Sequence, residues 1–156
     1  MRKVRVLFVC YGNICRSPLA EFVFKDMVKE AGYEDRFEIA SCATSAEHIG
    51  DPVDRRSADV LAQHGISCAG KTARRLNTRD YCTYDYIIGM DRNNLRCIRT
   101  MAPQEDCCVM GMLLDYDKGG EVADPWYTGD FDRTYRDVVR GCRGLLDTIV
   151  KRNGWE

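Results

Sequence analysis

The sequence predicts an α/β fold, a three-layer sandwich in which helices flank both faces of a four-stranded parallel sheet. The first observation is a nearly continuous apolar run, VRVLFV (residues 4–9), which is typical of a strand covered on both faces. The second is a segment near the end of the chain, residues 131–150, in which apolar residues recur at helical spacing. The third is the alternation of predicted strands and helices between these segments, which indicates a parallel sheet.

Four strands and four helices are predicted in alternation. The strands cover residues 4–9, 37–42, 84–90 and 107–110. The first helix begins at Ser17, which precedes a proline and is the predicted cap, and it ends before Gly32. Asp54 caps a second helix and Asp91 caps a third. The sequence contains no internal repeat, so residues 1–156 are predicted to form a single domain.

The composition indicates a globular protein of the cytoplasm that binds neither nucleic acid nor membranes. A net charge of −1 provides no basic excess for either partner. The apolar run near the N-terminus is shorter than a membrane span and lacks a signal-peptide cleavage site. Nine cysteines do not fit a disulfide scaffold, and Cys97 and Cys142 are predicted to be buried in reduced form. The cysteines and two isolated histidines lack metal-ligand spacing, so neither a metal nor another cofactor is expected.

Two segments of the sequence look like loops that bind phosphate. The first, GISCAGKT (residues 65–72), matches the pattern G-x-x-x-x-G-K-[ST] of nucleotide hydrolases. This pattern requires a strand before the loop and a helix after it. Here SADVLAQH before the loop has helical character, and ARRLNTRDY after it has no long apolar stripe. Gly65 fits the C-terminal stop of the preceding helix, so an ordinary loop is favoured over a nucleotide site.

The second segment, CYGNICRS (residues 10–17), lies in the required setting between the first predicted strand and the first predicted helix. A loop there directs several backbone N–H groups and the positive end of the helix dipole at one point. Gly12 allows close approach of the backbone, Asn13 tolerates a left-handed conformation, and Arg16 offers paired donors for phosphate oxygens. A helix N-terminus beside a cation favours a thiolate, which makes Cys10 a candidate nucleophile. The alternative is a buried core cysteine, and the Cys-x5-Arg spacing does not decide, because it recurs in the rejected loop.

Four segments, in this order, resemble the low-molecular-weight protein tyrosine phosphatases. They are VLFVCYGNICRSPLAE, SCATSAEHIGDPVDRRS, DYIIGMDRNNL and DPWYTGDF. The resemblance implies a four-stranded parallel sheet flanked by helices, with a phosphate loop between the first strand and the first helix. It also implies hydrolysis of phosphotyrosine and small aryl phosphates in two steps through a phosphocysteine, without a metal or cofactor.

The resemblance also implies a role for each residue of the expected site. Cys10 would be the nucleophile, Arg16 a phosphate ligand, and Asp124 the general acid and then the general base. Ser17 would donate a hydrogen bond to the thiolate sulfur, and Asn13 would fix the shape of the loop. The residues expected to bind substrate or phosphate are Tyr11, Gly12, Asn13, Ile14, Cys15, Ser17, Glu47, Trp126 and Tyr127. From the residues alone, Asp124 followed by proline also fits a simple turn.

Two positions depart from the family pattern. Relatives commonly place an aromatic residue on one wall of the phosphotyrosine slot where this chain has Glu47, which predicts a preference for basic residues beside the phosphotyrosine. A carboxylate pointing into solvent is the alternative. Lys71 stands where some relatives support Asn13 with a histidine, so a direct lysine contact or a water is expected instead. Asp91 fits a helix cap, an anchor of the loop network, or both.

The resemblance further implies a reversible disulfide between Cys10 and Cys15, which share the loop. The expected partners are tyrosine-phosphorylated proteins, with inorganic phosphate as product and inhibitor, and the chain is expected to be a monomer. Arsenate reductase shares the loop and is the nearest rival, but its thiol relay would need a cysteine where this chain has Gly89, after Cys82. A phosphotyrosine-binding module without catalysis is a further alternative, although the chain retains both nucleophile and acid.

Overall fold

Four parallel strands form the central sheet of the protein. The computed structural model describes residues 2–104 and 106–155. The strands are β1 (Val4–Cys10), β2 (Phe37–Ala43), β3 (Tyr86–Gly89) and β4 (Val109–Met112). Their order in the sheet is β2-β1-β3-β4, and every neighbouring pair is parallel. The predicted four-stranded parallel sheet is therefore confirmed.

β4 begins at Val109 rather than at residue 107, where the sequence predicts it. The N–H of Val109 donates to the carbonyl oxygen of Asp85 (2.9 Å), and Val109 lies opposite Tyr86, the first residue of β3. The pairing with β3 thus fixes where β4 begins. Cys107 and Cys108 remain in the preceding loop, although their apolar character suits a strand.

Six α-helices lie within the described residues: α1 (Arg16–Glu30), α2 (Arg55–Gln63), α3 (Asp80–Thr83), α4 (Arg92–Met101), α5 (Pro125–Thr128) and α6 (Phe131–Asn153). Two short 3-10 turns cover Glu34–Arg36 and Leu113–Tyr116. As predicted, Asp54 caps α2 and Asp91 caps α4, since each carboxylate accepts a backbone N–H of the first helical turn. None of these helices is both long enough and apolar enough to cross a membrane.

The start of α1 differs from the prediction. The helix begins at Arg16 with Cys15 at the cap position, and no capping bond from the Cys15 side chain is made in the described structure. Ser17, the predicted cap, lies inside the first turn, and its hydroxyl is 3.0 Å from the Cys10 sulfur. The prediction that Ser17 caps α1 is therefore wrong, because its side chain is turned toward the loop instead.

Helices cover both faces of the sheet, which confirms the three-layer arrangement. On one face, Val6 and Phe8 of β1 belong to a core shared with α1 and α6. On the other face, Leu7 and Val9 pack in a core that includes Ile98 of α4. Successive side chains of β1 thus enter two different cores, which explains the nearly continuous apolar run.

The two cysteines predicted to be buried differ in their exposure to solvent. Cys142 on α6 is fully buried, but Cys97 on α4 is exposed. The buried positions of α4 are Asn94 and Ile98, so Cys97 faces away from the sheet. The burial prediction is wrong for Cys97 because the inward stripe of α4 is narrow.

Residues 65–72, the GISCAGKT segment, follow α2 rather than a strand. Gly65 has a φ of 74°, the left-handed conformation expected of a glycine that stops a helix. Beyond the segment, Arg75 forms a bridge with Ala43 at the end of β2. The segment is thus a loop beside the first strand pair, in agreement with the prediction.

Candidate active site

The loop between β1 and α1 wraps around the sulfur of Cys10. Asn13 has a φ of 58°, so the backbone takes the left-handed turn that the sequence allows there. This turn aims the N–H of Asn13 at the Cys10 sulfur, at 3.2 Å, and Ser17 Oγ lies 3.0 Å from the same sulfur. Cys10 is only 3% exposed, so the loop presents a buried sulfur with two hydrogen-bonding neighbours.

The Asn13 side chain fixes this turn by bonding to three separate segments. Its amide nitrogen donates to Ser17 Oγ (2.7 Å) and to Ser41 Oγ (2.9 Å). Its amide oxygen accepts the backbone N–H of Arg74 (3.2 Å). The Ser17 oxygen accepts from Asn13, and two acceptors are within reach of its hydroxyl proton: the Cys10 sulfur at 3.0 Å and the carbonyl oxygen of Cys42 at 3.4 Å.

A buried carboxylate lies behind Asn13. Glu21 of α1 is 4% exposed and accepts the Ser41 hydroxyl at 2.6 Å. Lys71 Nζ lies 3.3 Å from Glu21 and donates to the Ser41 carbonyl oxygen at 2.8 Å. Lys71 therefore supports Asn13 through Ser41 and Glu21 rather than by the direct contact that was one of the two expected arrangements.

Arg16 lies at the side of the loop and is 3% exposed. Its Nη1 donates to Asp91 (2.7 Å) and to the carbonyl oxygen of Val122 (3.1 Å), and its Nη2 is 3.4 Å from Asp124. Burial alone would lower the pKa of Arg16, but the neighbouring Cys10, Asp91 and Asp124 raise it above its ordinary value. The guanidinium thus stays charged in a buried position. Asp91 serves both as the cap of α4 and as an anchor of Arg16.

Asp124 is placed by the start of α5, where it is the N-cap residue. Its Oδ1 accepts the N–H of Trp126 at 3.1 Å, and its Oδ2 faces Arg16. The two interpretations of Asp124, as a turn residue and as the general acid, are therefore compatible. The helix cap uses one carboxylate oxygen, and the other faces the loop around Cys10.

These groups line one cavity of about 240 Å³. The lining residues are Cys10, Tyr11, Gly12, Ile14, Cys15, Arg16, Glu47, His48, Asp124, Trp126 and Tyr127. All the predicted site residues are in this set except Asn13 and Ser17, which lie behind the sulfur. The set adds one residue that sequence reasoning missed, His48.

His48 was missed because it was interpreted as an isolated histidine. Its ring packs so closely on Gly12 that an added Cβ there would lie 3.0 Å from His48 Cδ2. On its other side the ring centroid is 6.3 Å from that of Trp126, and Nδ1 is 3.0 Å from Asp51. The sequence signal that could have identified His48 is its position directly after Glu47. Both residues follow β2, which ends beside Cys10.

Glu47 lies at the mouth of the cavity and is held by Tyr11. The Tyr11 hydroxyl donates to Glu47 Oε1 at 2.7 Å, and this bond is the main reason that the pKa of Tyr11 is raised. The carboxylate therefore lies over the site, and the alternative of a side chain directed away from it is not what the structure shows.

Cys15, the proposed redox partner of Cys10, faces a small apolar cluster with Val60 and Phe131. Burial, with a further contribution from the Asp54 carboxylate, raises the pKa of Cys15 to about 12. Both Cys10 and Cys15 are free thiols in this structure.

Known proteins match nearly the full length of the chain. Residues 5–154 match the family model of low molecular weight phosphotyrosine protein phosphatase. The chain is 41% identical to the low molecular weight phosphotyrosine protein phosphatase of Schizosaccharomyces pombe over 155 residues, which cover 96% of this chain and 99% of that protein. The human protein of the same name is 38% identical, with 91% and 93% of the two chains covered.

Similarity in structure is equally extensive. The crystal structure of YfkJ from Bacillus subtilis superimposes with a TM-score of 0.93 at 37% identity and covers 97% of this chain and 98% of that chain. Together with the family match over nearly the full length, this means that the chain belongs to the low molecular weight phosphotyrosine protein phosphatase family.

Proposed function

We propose that this protein hydrolyses phosphotyrosine through a phosphocysteine intermediate, as a cysteine-dependent protein tyrosine phosphatase. The observation that carries the proposal is one cavity lined by the Cys10 sulfur, the Arg16 guanidinium and the Asp124 carboxyl group. Hydrogen bonds from Asn13 N–H and Ser17 O–H stabilise Cys10 as a thiolate, and the start of α1 adds positive potential.

In the first step, the Cys10 thiolate attacks phosphorus and the bond between phosphorus and the tyrosine oxygen breaks. Arg16 and the backbone N–H groups of the loop bind the other three phosphoryl oxygens, where negative charge is spread in the transition state. Asp124, protonated at this stage, gives its proton to the leaving phenolate oxygen and becomes a carboxylate.

In the second step, the Asp124 carboxylate takes a proton from a water molecule, whose oxygen attacks phosphorus. The bond between phosphorus and sulfur breaks, which releases inorganic phosphate and restores the Cys10 thiolate. Proton transfer of this kind typically contributes ~10²–10⁴ in rate. The product, inorganic phosphate, fits the same loop and is expected to inhibit competitively.

The rim of the cavity supports an aryl phosphate as substrate. Tyr11, Trp126 and Tyr127 are large side chains that are 48%, 54% and 86% exposed around the mouth. A phenyl ring that enters with its phosphate toward Cys10 would pass between such surfaces, which bind aromatic rings well. Tyrosine-phosphorylated proteins are therefore the proposed substrates.

Phosphate release from an aryl phosphate, with reductant and EDTA present, tests the proposed function. We expect turnover by the wild type and none by Cys10→Ser, since an alcohol in that position is a far weaker nucleophile. Asp124→Asn should lower turnover of a poor leaving group by about 10²–10⁴ and still be trapped as phosphocysteine with a good one. Full activity of Cys10→Ser would overturn the mechanism.

We also propose that Glu47 favours substrates with lysine or arginine beside the phosphotyrosine. Its carboxylate is exposed at the mouth, where it can pair with a basic side chain of the substrate. An exposed pair of this kind is worth about two- to fivefold in kcat/KM. The ratio of kcat/KM for basic over acidic phosphopeptides should drop by that factor in Glu47→Gln.

Glu38→Gln provides the matched control, since Glu38 pairs with Arg5 at the far end of β2 and is similarly exposed. Glu47→Tyr, which restores the aromatic wall, should lose the preference as Glu47→Gln does. If the ratio is unchanged in both Glu47 variants, the carboxylate does not select the substrate.

We further propose that the protein acts as a cytoplasmic monomer of one domain. All the residues assigned to catalysis come from one chain and line one cavity. The mechanism needs a reduced Cys10, which the thiol-reducing conditions of the cytosol maintain. Sedimentation at the concentration of the activity assay checks the oligomeric state.

A further inference from the structure

Arg56, in the first turn of α2, contacts two aromatic residues, one within α5 and one at the start of α6. Its guanidinium carbon is 5.5 Å from the ring centroid of Trp126 and 4.6 Å from that of Phe131. Both distances are in the range of cation–π attraction. Trp126 lies in α5 and Phe131 begins α6, so one cation holds the two ends of the segment that follows Asp124.

The guanidinium is itself held in a fixed orientation. Its Nε and Nη2 donate to the two oxygens of Asp54, each at 3.1 Å, and the N–H of Arg56 donates to the same carboxylate at 2.9 Å. The side-chain bond from Arg56 is the largest of the effects that lower the pKa of Asp54. The backbone N–H of Asp54 in turn donates to the carbonyl oxygen of Ile14 (2.8 Å), within the loop around Cys10.

A chain of contacts therefore joins the Cys10 loop to Asp124. It runs from Ile14 through Asp54 and Arg56 to the ring of Trp126. The N–H of Trp126 then donates to Asp124 Oδ1, which sets the direction of Asp124 Oδ2. Trp126 is 54% exposed, and the contact with Arg56 adds to that of the His48 ring in restraining its side chain.

We propose that Arg56 is a positioning residue for Asp124: by holding Trp126, it keeps the carboxyl group of Asp124 over the leaving-group oxygen. This inference rests on the proposed function, because it gives Arg56 a role in the protonation step alone. It predicts that replacing Arg56 lowers kcat/KM more strongly when the leaving group is more basic.

The test compares kcat/KM for a series of aryl phosphates, from strongly acidic phenols to one as basic as tyrosine, whose pKa is about 10. The kcat/KM value reports the steps up to formation of the phosphocysteine, in which the leaving group departs. Arg56→Met keeps much of the side-chain length and removes the charge and the planar group. We expect a loss of about two- to thirtyfold with the most basic phenol and almost none with the most acidic.

Two further arginine variants serve as controls. Arg55→Met changes the neighbouring arginine, whose side chain is 93% exposed, and should leave the whole series unchanged. Arg56→Lys restores the cation without the planar pair of donors and should recover part of the loss. In an Asp124→Asn background, Arg56→Met should have no further effect on the dependence on leaving group.

Fluorescence gives a readout that needs no activity. Trp155 is buried whereas Trp126 is exposed, so acrylamide quenches mainly Trp126, and Arg56→Met should increase quenching while Arg55→Met does not. An equal loss of kcat/KM for every leaving group, or unchanged quenching, would overturn the positioning role. Absence of turnover by the wild type would instead reject the proposed function.

Discussion

Replacing Lys71 with methionine removes one of two cations that contact the buried carboxylate of Glu21. The side chains of Lys71 and Glu21 are 13% and 5% exposed, with 3.3 Å between Nζ and Oε1. Lys71 also donates to the carbonyl oxygen of Ser41 at 2.8 Å. The substitution leaves Glu21 with Lys25 at 2.6 Å and the Ser41 hydroxyl at 2.6 Å.

The cost follows from what remains around Glu21. Breaking a buried ion pair outright costs ~3–5 kcal/mol, but Lys25 still compensates the charge. The change is therefore closer to the loss of one hydrogen bond to a charged group, which is ~1.5–3 kcal/mol. For a chain of this length, we expect the melting temperature to fall by roughly 3–12 °C.

Thermal and urea unfolding of Lys71→Met and Lys25→Met provide the assay. Lys25 contacts the same carboxylate, but its side chain is 43% exposed, and exposed pairs contribute only ~0–1 kcal/mol. Lys71→Met should therefore be clearly less stable than Lys25→Met. Equal stability of the two variants, or a Lys71→Met protein as stable as the wild type, would refute the assignment of Lys71 to this network.

Three other outcomes are expected. Since burial raises the pKa of Cys15 to about 12, its thiolate is much scarcer near neutral pH than that of an ordinary cysteine. Peptide mapping after peroxide treatment should thus show the Cys10–Cys15 disulfide in a proportion that rises with pH; only sulfonic Cys10 at every pH would exclude it. Ser17→Ala should slow alkylation of Cys10 by iodoacetamide about tenfold through loss of the hydrogen bond to the thiolate, and an unchanged rate would contradict this. Gly144→Ala should unfold at much lower urea concentration, because the added Cβ on α6 would collide with the carbonyl oxygen of Tyr116; wild-type stability would show that α6 and the turn at Leu113–Tyr116 can separate there.

The fold could be predicted because its signals are local. The run at residues 4–9 carries two sets of inward side chains, and Asp54 and Asp91 each precede the helix that they cap. The start of β4 could not be predicted in this way, since it depends on pairing with β3. Ser17 shows the same limit, because its hydroxyl satisfies a sulfur seven residues away and not the adjacent helix end.

The residues of the site were predictable where they share one segment, and less so where the fold brings distant segments together. The loop from Cys10 to Ser17 was recognisable as a unit. The packing of His48 on Gly12 and the contact of Arg56 with Trp126 join residues that are far apart in sequence. Arg56 follows the capping Asp54 by two residues and looks like part of an ordinary helix start. Its contact with Trp126 depends on where the fold places α5, which the sequence does not show.

The two carboxylates beside Arg16 differ in how their oxygens are used, and this difference supports the roles proposed for them. Asp91 accepts Arg16 Nη1 at 2.7 Å with one oxygen and the backbone N–H of Asn94 at 2.8 Å with the other. Asp124 accepts the N–H of Trp126 with one oxygen, but its second oxygen has only a 3.4 Å contact with Arg16. Asp91 thus uses both oxygens, one to orient the Arg16 guanidinium and one to cap α4. Asp124 has one oxygen with only a long contact, and in the proposed mechanism this oxygen gives a proton to the leaving group and takes one from water.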